Sequence, residues 1–148
     1  MDSQICERQE MRELNQIYKE MEDLYHDIAI KLGISDSVFD ILYDICELGD
    51  GCLQKDICRM SFSSKQTINS AIQKLKGDGY LYLKPGKGKD KHIFLTEIGR
   101  QFVEENIIPV FQIENLAFHE LSHEESQELL RLSGKYLKQF REKVSELL

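Results

Sequence analysis

The sequence has no apolar run that approaches the roughly 20 residues needed by a membrane-spanning helix, so no membrane segment is expected. Its N-terminus, MDSQICERQEMREL, lacks the apolar core of a secretory signal peptide. No C-x-x-C occurs, and the spacing of Cys52 and Cys58 does not suit a zinc knuckle. We therefore expect a cytoplasmic protein whose four cysteines are reduced and serve as small core residues.

Internal repeats and flexible linkers are also missing from the 148 residues, a length that suits one compact subunit. Hydrophobic residues make up 41% of the chain and charged residues 30%, a balance typical of a folded protein rather than a disordered one.

Positive charge is concentrated in the centre of an acidic chain. Residues 55–91 contain nine Lys or Arg and three Asp or Glu, a net charge of +6. Since the whole chain carries -7, the remaining residues carry -13. A basic centre between acidic flanks indicates a surface that binds a polyanion, provided that the architecture agrees.

Apolar residues at three- and four-residue steps predict a long amphipathic helix that ends at Gly33. The apolar stripe of this helix consists of Leu14, Ile17, Tyr18, Met21, Leu24, Tyr25, Ile28 and Leu32. A second helix must pack against this stripe to remove it from water. Ser35 is a predicted N-cap of a second helix, which stops at Gly49-Asp50-Gly51.

The segments 53–60 and 65–77 predict two consecutive helices joined by the polar turn 61–64, which offers N-cap candidates. The second helix has an inward apolar stripe of Ile68, Ala71, Ile72 and Leu75. At about 100° per residue, the opposite face carries Gln66, Asn69, Ser70 and Gln73.

The segments YLYLK (80–84) and HIFLT (92–96) predict a β-hairpin around the lysine-rich loop PGKGKDK (85–91). Thr96 is a predicted cap of a further helix, which Pro109 should kink or interrupt. A capping box beginning at Ser122 predicts a last helix that runs to the C-terminus. The expected fold is therefore mainly α, a helix-turn-helix with a small β-hairpin wing, flanked by long terminal helices.

A helix-turn-helix followed by a basic wing favours double-stranded DNA as the partner. Gln and Asn side chains match adenine edges in the major groove, whereas Ser and Lys suit phosphates. The candidate DNA-binding residues are Ser64, Lys65, Gln66, Asn69, Ser70, Gln73, Lys74, Lys87, Lys89 and Lys91.

Three segments resemble the multiple-antibiotic-resistance regulator (MarR) family of winged-helix transcription factors: SSKQTINSAIQKLKGDGYL, the Gly-Lys-Asp-Lys loop, and LTEIG at 95–99. The motif likeness covers about Leu53 to Phe102, and the element order covers nearly the whole chain. In the wing, however, Lys89, Asp90 and Lys91 stand where family members commonly carry an Asp followed by arginines. Lysine is a point charge without the planar fork of arginine, so backbone attraction is expected rather than specific insertion into the minor groove.

The resemblance implies a homodimer that places two recognition helices on a pseudo-palindromic operator. It assigns residues 1–34 and 97–148 to dimerisation and residues 35–96 to DNA binding. It also implies a repressor that is released by a small-molecule effector, such as a phenolic ligand held near the tyrosines of the first helix. No cofactor is indicated.

Other interpretations remain open. His119-Glu120-Leu121-Ser122-His123 matches the zinc protease pattern H-E-x-x-H, but the predicted helix boundary at Ser122 falls inside the motif and argues against a protease. A regulatory metal site could involve His26, His119 and His123, and a thiol sensor could use Cys6. A winged-helix module that binds protein instead of DNA is the alternative of another class.

Overall fold

The computed structural model describes residues 8–148 and contains two compact units, the first ending at Ile107 and the second comprising Ile108–Leu148. The elements of the first unit are α1 (Gln9–Leu32), α2 (Asp36–Leu48), α3 (Gln54–Met60), α4 (Lys65–Gly77), β1 (Leu81–Pro85), β2 (Lys91–Leu95), α5 (Glu97–Phe102) and a π-helical turn (Val103–Ile107). The second unit consists of α6 (Ile108–His119) and α7 (His123–Leu147). No described helix is long and apolar enough to cross a membrane. The expected mainly α fold with a β-hairpin is confirmed.

The helix boundaries follow the capping residues that the sequence predicts. Ser35, Ser64, Thr96 and Ser122 each accept a hydrogen bond from the backbone N–H three residues later. At Ser122 the capping box is complete, because the Ser122 N–H also donates to Glu125 Oε1 at 2.8 Å. Gly33 ends α1 in the left-handed conformation, with φ of 71°, which glycine adopts without steric cost.

The core of the first unit lies where α2 and α4 meet, with α3 and the hairpin around them. The predicted inward stripe of α4 is buried in full, from Ile68 to Leu75. It faces the buried apolar side of α2, which includes Ile41, Leu42 and Ile45. Ile57 of α3 and Ile93 of β2 complete this core.

The two strands pair antiparallel, from Leu81↔Leu95 to Pro85↔Lys91. Both strands lie one residue closer to the loop than the sequence suggests, because the Gly86 N–H donates to the Asp90 carbonyl and extends the pairing to Pro85. A bridge between Leu53 and His92 was not predicted, and it joins the hairpin to the start of α3.

Pro109 interrupts the helical stretch after Thr96, as predicted. A π-helical turn occupies Val103–Ile107, and Pro109 is the second residue of α6. Proline has no N–H to continue the preceding hydrogen-bond ladder, so the change of helix type falls next to it.

Cys46, Cys52 and Cys58 are free thiols, and they are half-buried rather than core residues. The sequence interpretation was wrong about their depth, since the large aliphatic side chains fill the core. Burial raises the pKa of Cys46 and of Cys52 to about 11, so both remain protonated at neutral pH. Cys6 lies outside the described residues.

The LTEIG segment forms a tight corner between β2 and α5. The Thr96 N–H donates to the Tyr80 carbonyl at 3.0 Å, and the Thr96 hydroxyl donates to the Gly79 carbonyl at 2.6 Å. Gly99 is buried against the same Tyr80 carbonyl, and a Cβ atom at position 99 would overlap its oxygen. The glycine is therefore required by the close approach of two backbone segments.

Asp44 of α2 is a buried carboxylate, only 9% exposed. Burial, reinforced by the neighbouring acids Asp40 and Glu47, raises the pKa of Asp44 from 3.8 to about 6. Within residues 8–148, no lysine, arginine or histidine forms a salt bridge with Asp44. An ionised Asp44 therefore destabilises the folded chain at neutral pH.

We expect Gly99→Ala to lower the free energy of unfolding by about 3 kcal/mol, because the new methyl group forces α5 away from Tyr80. Urea denaturation followed by circular dichroism measures the change. Gly134→Ala is the matched control: an added Cβ meets nothing within 4 Å in α7, and the substitution should stabilise by about 0.5–1 kcal/mol. Equal effects of the two substitutions would contradict the steric explanation.

We expect Asp44→Asn to raise the free energy of unfolding by about 1 kcal/mol at pH 7.5, after discounting for partial solvation. Because the folded-state pKa lies above the unfolded value, this gain should shrink as the pH falls through 6 and disappear near 3.8. Urea denaturation across this pH range is the measurement. The exposed Asp27→Asn makes the same charge change and should give little gain. A gain for Asp44→Asn that does not vary with pH would rule out ionisation as its cause.

Candidate nucleic-acid interface

The helix-turn-helix is formed by α3, the turn 61–64 and α4. In the turn, Ser61 Oγ accepts from the Ser63 N–H at 3.1 Å, and Ser64 Oγ accepts from the Thr67 N–H at 3.1 Å. These two short-range bonds reverse the chain and start α4 at Lys65. The orientation of α4 then follows from burial of its apolar stripe against α2.

All four polar residues predicted on the outer face of α4 are exposed: Gln66, Asn69, Ser70 and Gln73. Lys65 and Lys74, predicted to flank this face, are exposed as well. Lys74 Nζ lies 3.5 Å from Asp78 Oδ2, so part of its charge is balanced within the helix. Ser64 is exposed, but its hydroxyl is engaged in capping α4.

Gln54 of α3 extends the polar face of α4. Its Nε2 donates to Asn69 Oδ1 at 3.3 Å, which leaves the Asn69 amide nitrogen available as a donor. The sequence interpretation did not include Gln54, because the two residues lie 15 positions apart.

The wing, which is the hairpin 81–95, exposes the three predicted lysines Lys87, Lys89 and Lys91. The fourth lysine of this segment, Lys84, has its ammonium group 5.7 Å from the Tyr82 ring centroid and 5.1 Å from that of Phe94. Its charge is therefore placed over the stacked rings of the hairpin.

A salt bridge connects the wing to the helix-turn-helix. Lys55 Nζ of α3 lies 3.1 Å from Asp90 Oδ2 in the wing loop. Beside this pair is a cleft of about 340 Å³ whose lining combines α3, the start of α4 and the wing, and includes Lys65, Asn69, Lys89 and Lys91. Asp90 is the one acid of the lysine-rich loop, which in the sequence could have suggested a salt bridge. Its partner Lys55 lies 35 residues away, so the sequence alone did not identify the pair.

The base of the wing is held by polar contacts that sequence spacing does not reveal. Asp50 Oδ1 accepts from the Leu95 N–H at 2.8 Å, while Asp50 Oδ2 lies 2.7 Å from Arg100 Nη2. His92 Nδ1 donates to the Gly51 carbonyl at 2.8 Å. The loop after α2 therefore fixes both β2 and the start of α5.

The rival metal and protease interpretations find no support in the geometry. His119 ends α6 and His123 begins α7, with the N-cap Ser122 between them, so the two histidines do not share one helical face. His26 Nδ1 lies 2.8 Å from Asp36 Oδ1, and this hydrogen bond raises the pKa of His26. In the part of the chain that the structure describes, no group of three or more His, Cys, Asp or Glu residues is arranged to hold a metal ion.

A helix-turn-helix with a two-stranded wing, followed by further helices, defines a winged helix-turn-helix protein. A family model described as the MarR family matches residues 32–90. Residues 32–90 are thus similar to the MarR family, and the chain has the fold of the MarR family regulators. The resemblance expected from the sequence is confirmed.

Solved structures agree on the fold. A MarR family regulator from Neisseria meningitidis has a TM-score of 0.79 at 16% identity, covering 94% of this chain and 99% of its own. The MepR–DNA complex of S. aureus has a TM-score of 0.67 at 21% identity, covering 86% and 94%. Staphylococcus aureus MarR in complex with salicylate and kanamycin has a TM-score of 0.70 at 16% identity, covering 93% and 94%. No curated protein sequence matches the chain.

Proposed function

We propose that this chain is a sequence-specific regulator of transcription that binds double-stranded DNA as a homodimer and is released from it by a small-molecule effector. The observation that carries the proposal is a continuous exposed surface in which the polar face of α4 adjoins the lysines of the wing. Amide side chains and ammonium groups on one surface match the bases and the phosphates of a duplex, respectively.

Within this surface the residues have separate roles. Gln66, Asn69 and Gln73 present amides to base edges in the major groove. Lys65 and Lys74, with Ser70, contact phosphates beside them. Lys87, Lys89 and Lys91 attract the neighbouring backbone. The Lys55–Asp90 salt bridge holds the wing at the side of α4, where these lysines reach the same duplex.

The structural neighbours support this assignment. One of them was solved as a complex with DNA, and another as a complex with salicylate and kanamycin. The first supports DNA as the partner of this fold, and the second supports a small-molecule effector. The repressor role is part of this proposal, in which an effector that lowers the DNA affinity of the protein relieves repression.

The proposal of a homodimer rests on exposed apolar stripes. Ile17 and Leu24 of α1 are 53% and 63% exposed, respectively, although they belong to the stripe that needs a covering helix. Helix α7 has no buried residue, yet it carries apolar side chains at heptad spacing, including Leu130 and Leu137. Stripes of this kind pack against a second copy in a symmetric dimer.

Binding to duplexes selected from random DNA should distinguish base readout from phosphate attraction. We expect Gln66→Ala to weaken binding to the selected site by about 1–3 kcal/mol and to relax base preference. Lys89→Ala should weaken binding to every duplex and reduce the slope of log K against log salt by about 1. Fluorescence anisotropy over a salt series is the measurement.

Lys138→Ala, which removes an exposed lysine of α7, is the charge-matched control for Lys89→Ala and should leave the salt slope unchanged. If the wild-type protein shows no salt-dependent affinity for any duplex, the DNA proposal is wrong. A winged-helix module that binds protein would then be the better interpretation.

Sedimentation equilibrium tests the dimer. The wild-type chain should have twice the subunit mass of 17.3 kDa, and Leu137→Glu should weaken self-association at least about tenfold by placing a charge in the interface. Lys135→Glu, on the opposite face of α7, should leave the dimer intact. A wild-type protein that remains at the subunit mass would refute the dimer.

A further inference from the structure

The outer face of α4 carries three amide side chains, and one of them is held by a residue of another helix. Gln54, the first residue of α3, donates from Nε2 to Asn69 Oδ1 at 3.3 Å. Within residues 8–148, the amides of Gln66 and Gln73 form no side-chain hydrogen bond. Asn69 is therefore the one amide of this face whose orientation is set by a contact inside the described chain.

The position of Gln54 is fixed by both of its neighbours along the chain. Leu53, the residue before it, is bridged to His92 of the wing. Lys55, the residue after it, forms the salt bridge with Asp90. Gln54 is itself partly buried. The wing therefore holds the start of α3 in place, and the amide of Gln54 is a fixed donor beside α4.

The charge of the surrounding cleft favours one direction of the hydrogen bond between Gln54 and Asn69. Both residues line the cleft of about 340 Å³, whose charged residues are the four lysines Lys55, Lys65, Lys89 and Lys91 and the single acid Asp90. A net positive surface attracts the carbonyl oxygen of an amide and repels its NH2 group. The arrangement in which Gln54 Nε2 donates to Asn69, and Gln54 Oε1 is left to the cleft, is therefore favoured over the reversed pair.

The direction of this hydrogen bond decides what Asn69 offers to a base. A carbonyl oxygen has two lone pairs, so Oδ1 accepts from Gln54 and keeps one lone pair for a base, while Nδ2 keeps its N–H groups. An acceptor and a donor side by side match the N6 amino group and the N7 of adenine in the major groove. Guanine has the acceptor O6 in place of the N6 amino group, so a fixed Oδ1 meets a second acceptor there. An Asn69 that rotates freely can turn its NH2 group to guanine instead.

We propose that Gln54 is a specificity-determining residue, which holds the Asn69 amide in the orientation that pairs with adenine and rejects guanine. It is a positioning residue, because it acts through Asn69. The inference rests on the proposed function and adds to it the identity of one base in the recognised site. A hydrogen bond between side chains in contact with water contributes little to folding, because water replaces either partner. The bond is therefore expected to affect base discrimination and not stability.

Base discrimination within duplexes selected from random DNA tests the proposal. The base pair read by Asn69 is the one at which Asn69→Ala loses the preference for A·T. At this position the wild type should bind the A·T duplex at least about fivefold more tightly than the G·C duplex, measured by fluorescence anisotropy. Gln54→Ala should reduce this ratio to below about twofold at the same position. It should leave the salt dependence of binding unchanged, because no cation is removed.

Two further variants separate a positioning role from a packing role. Gln54→Glu keeps the size of the side chain but only accepts hydrogen bonds, so it should turn the Asn69 amide around and lose the preference for A·T, as Gln54→Ala does. The double variant Gln54→Ala/Asn69→Ala should lose no more base preference than Asn69→Ala alone, because the two residues act as one unit.

Gln16→Ala is the matched control. It makes the same substitution on the face of α1 opposite the apolar stripe and should keep the wild-type ratio. Circular dichroism checks that each variant is folded.

The outcomes distinguish this inference from the proposed function. The positioning role is refuted, and DNA binding stands, if the wild type binds duplexes but Gln54→Ala or Gln54→Glu keeps the preference for A·T. The same holds if no preference for A·T depends on Asn69, or if Gln54→Ala changes the preference at a different base pair. A wild type without salt-dependent affinity for any duplex refutes the proposed function, and the positioning role with it.

Discussion

Burial of one apolar stripe on α4 determines the geometry of the whole surface that we propose binds DNA. Ile68, Ala71, Ile72 and Leu75 can reach the core only if α4 faces α2 with this side. Because the helix repeats every 3.6 residues, the same rotation turns Gln66 and Gln73 outward. The surface that we propose for base readout is thus a consequence of core packing, and the Ser64 cap decides where it begins.

The wing depends on a second set of contacts, which are polar and long-range. Asp50 holds β2 and Arg100, Lys55 holds Asp90, and Gly99 permits α5 to approach Tyr80. The two ion pairs are weak individually, since they are partly exposed and such pairs contribute at most about 1 kcal/mol each. Their combined effect is to fix the direction in which the wing lysines point, which matters more for function than for stability.

Asp44 has the opposite effect, because its buried carboxylate lowers the stability of the folded chain. A chain under selection for stability alone would place an apolar residue or a paired charge at Asp44, because an unpaired buried carboxylate disfavours the folded state. Residues that break such a local rule often mark a functional site. The same reasoning applies to the exposed apolar stripes of α1 and α7, which are unfavourable in a single subunit and favourable in a dimer.

The sequence by itself determined the element order, three of the four N-caps, the inward face of α4, the hairpin and the interruption near Pro109, because each depends on residues close together in the chain. For the same reason it identified the exposed amides and lysines of the candidate site. Tertiary structure alone decided that Cys46, Cys52 and Cys58 are half-buried, that Gln54 and Lys55 join the surface, and that Asp44 is buried. These outcomes depend on side chains brought together from distant segments, and no local pattern encodes which distant segments meet.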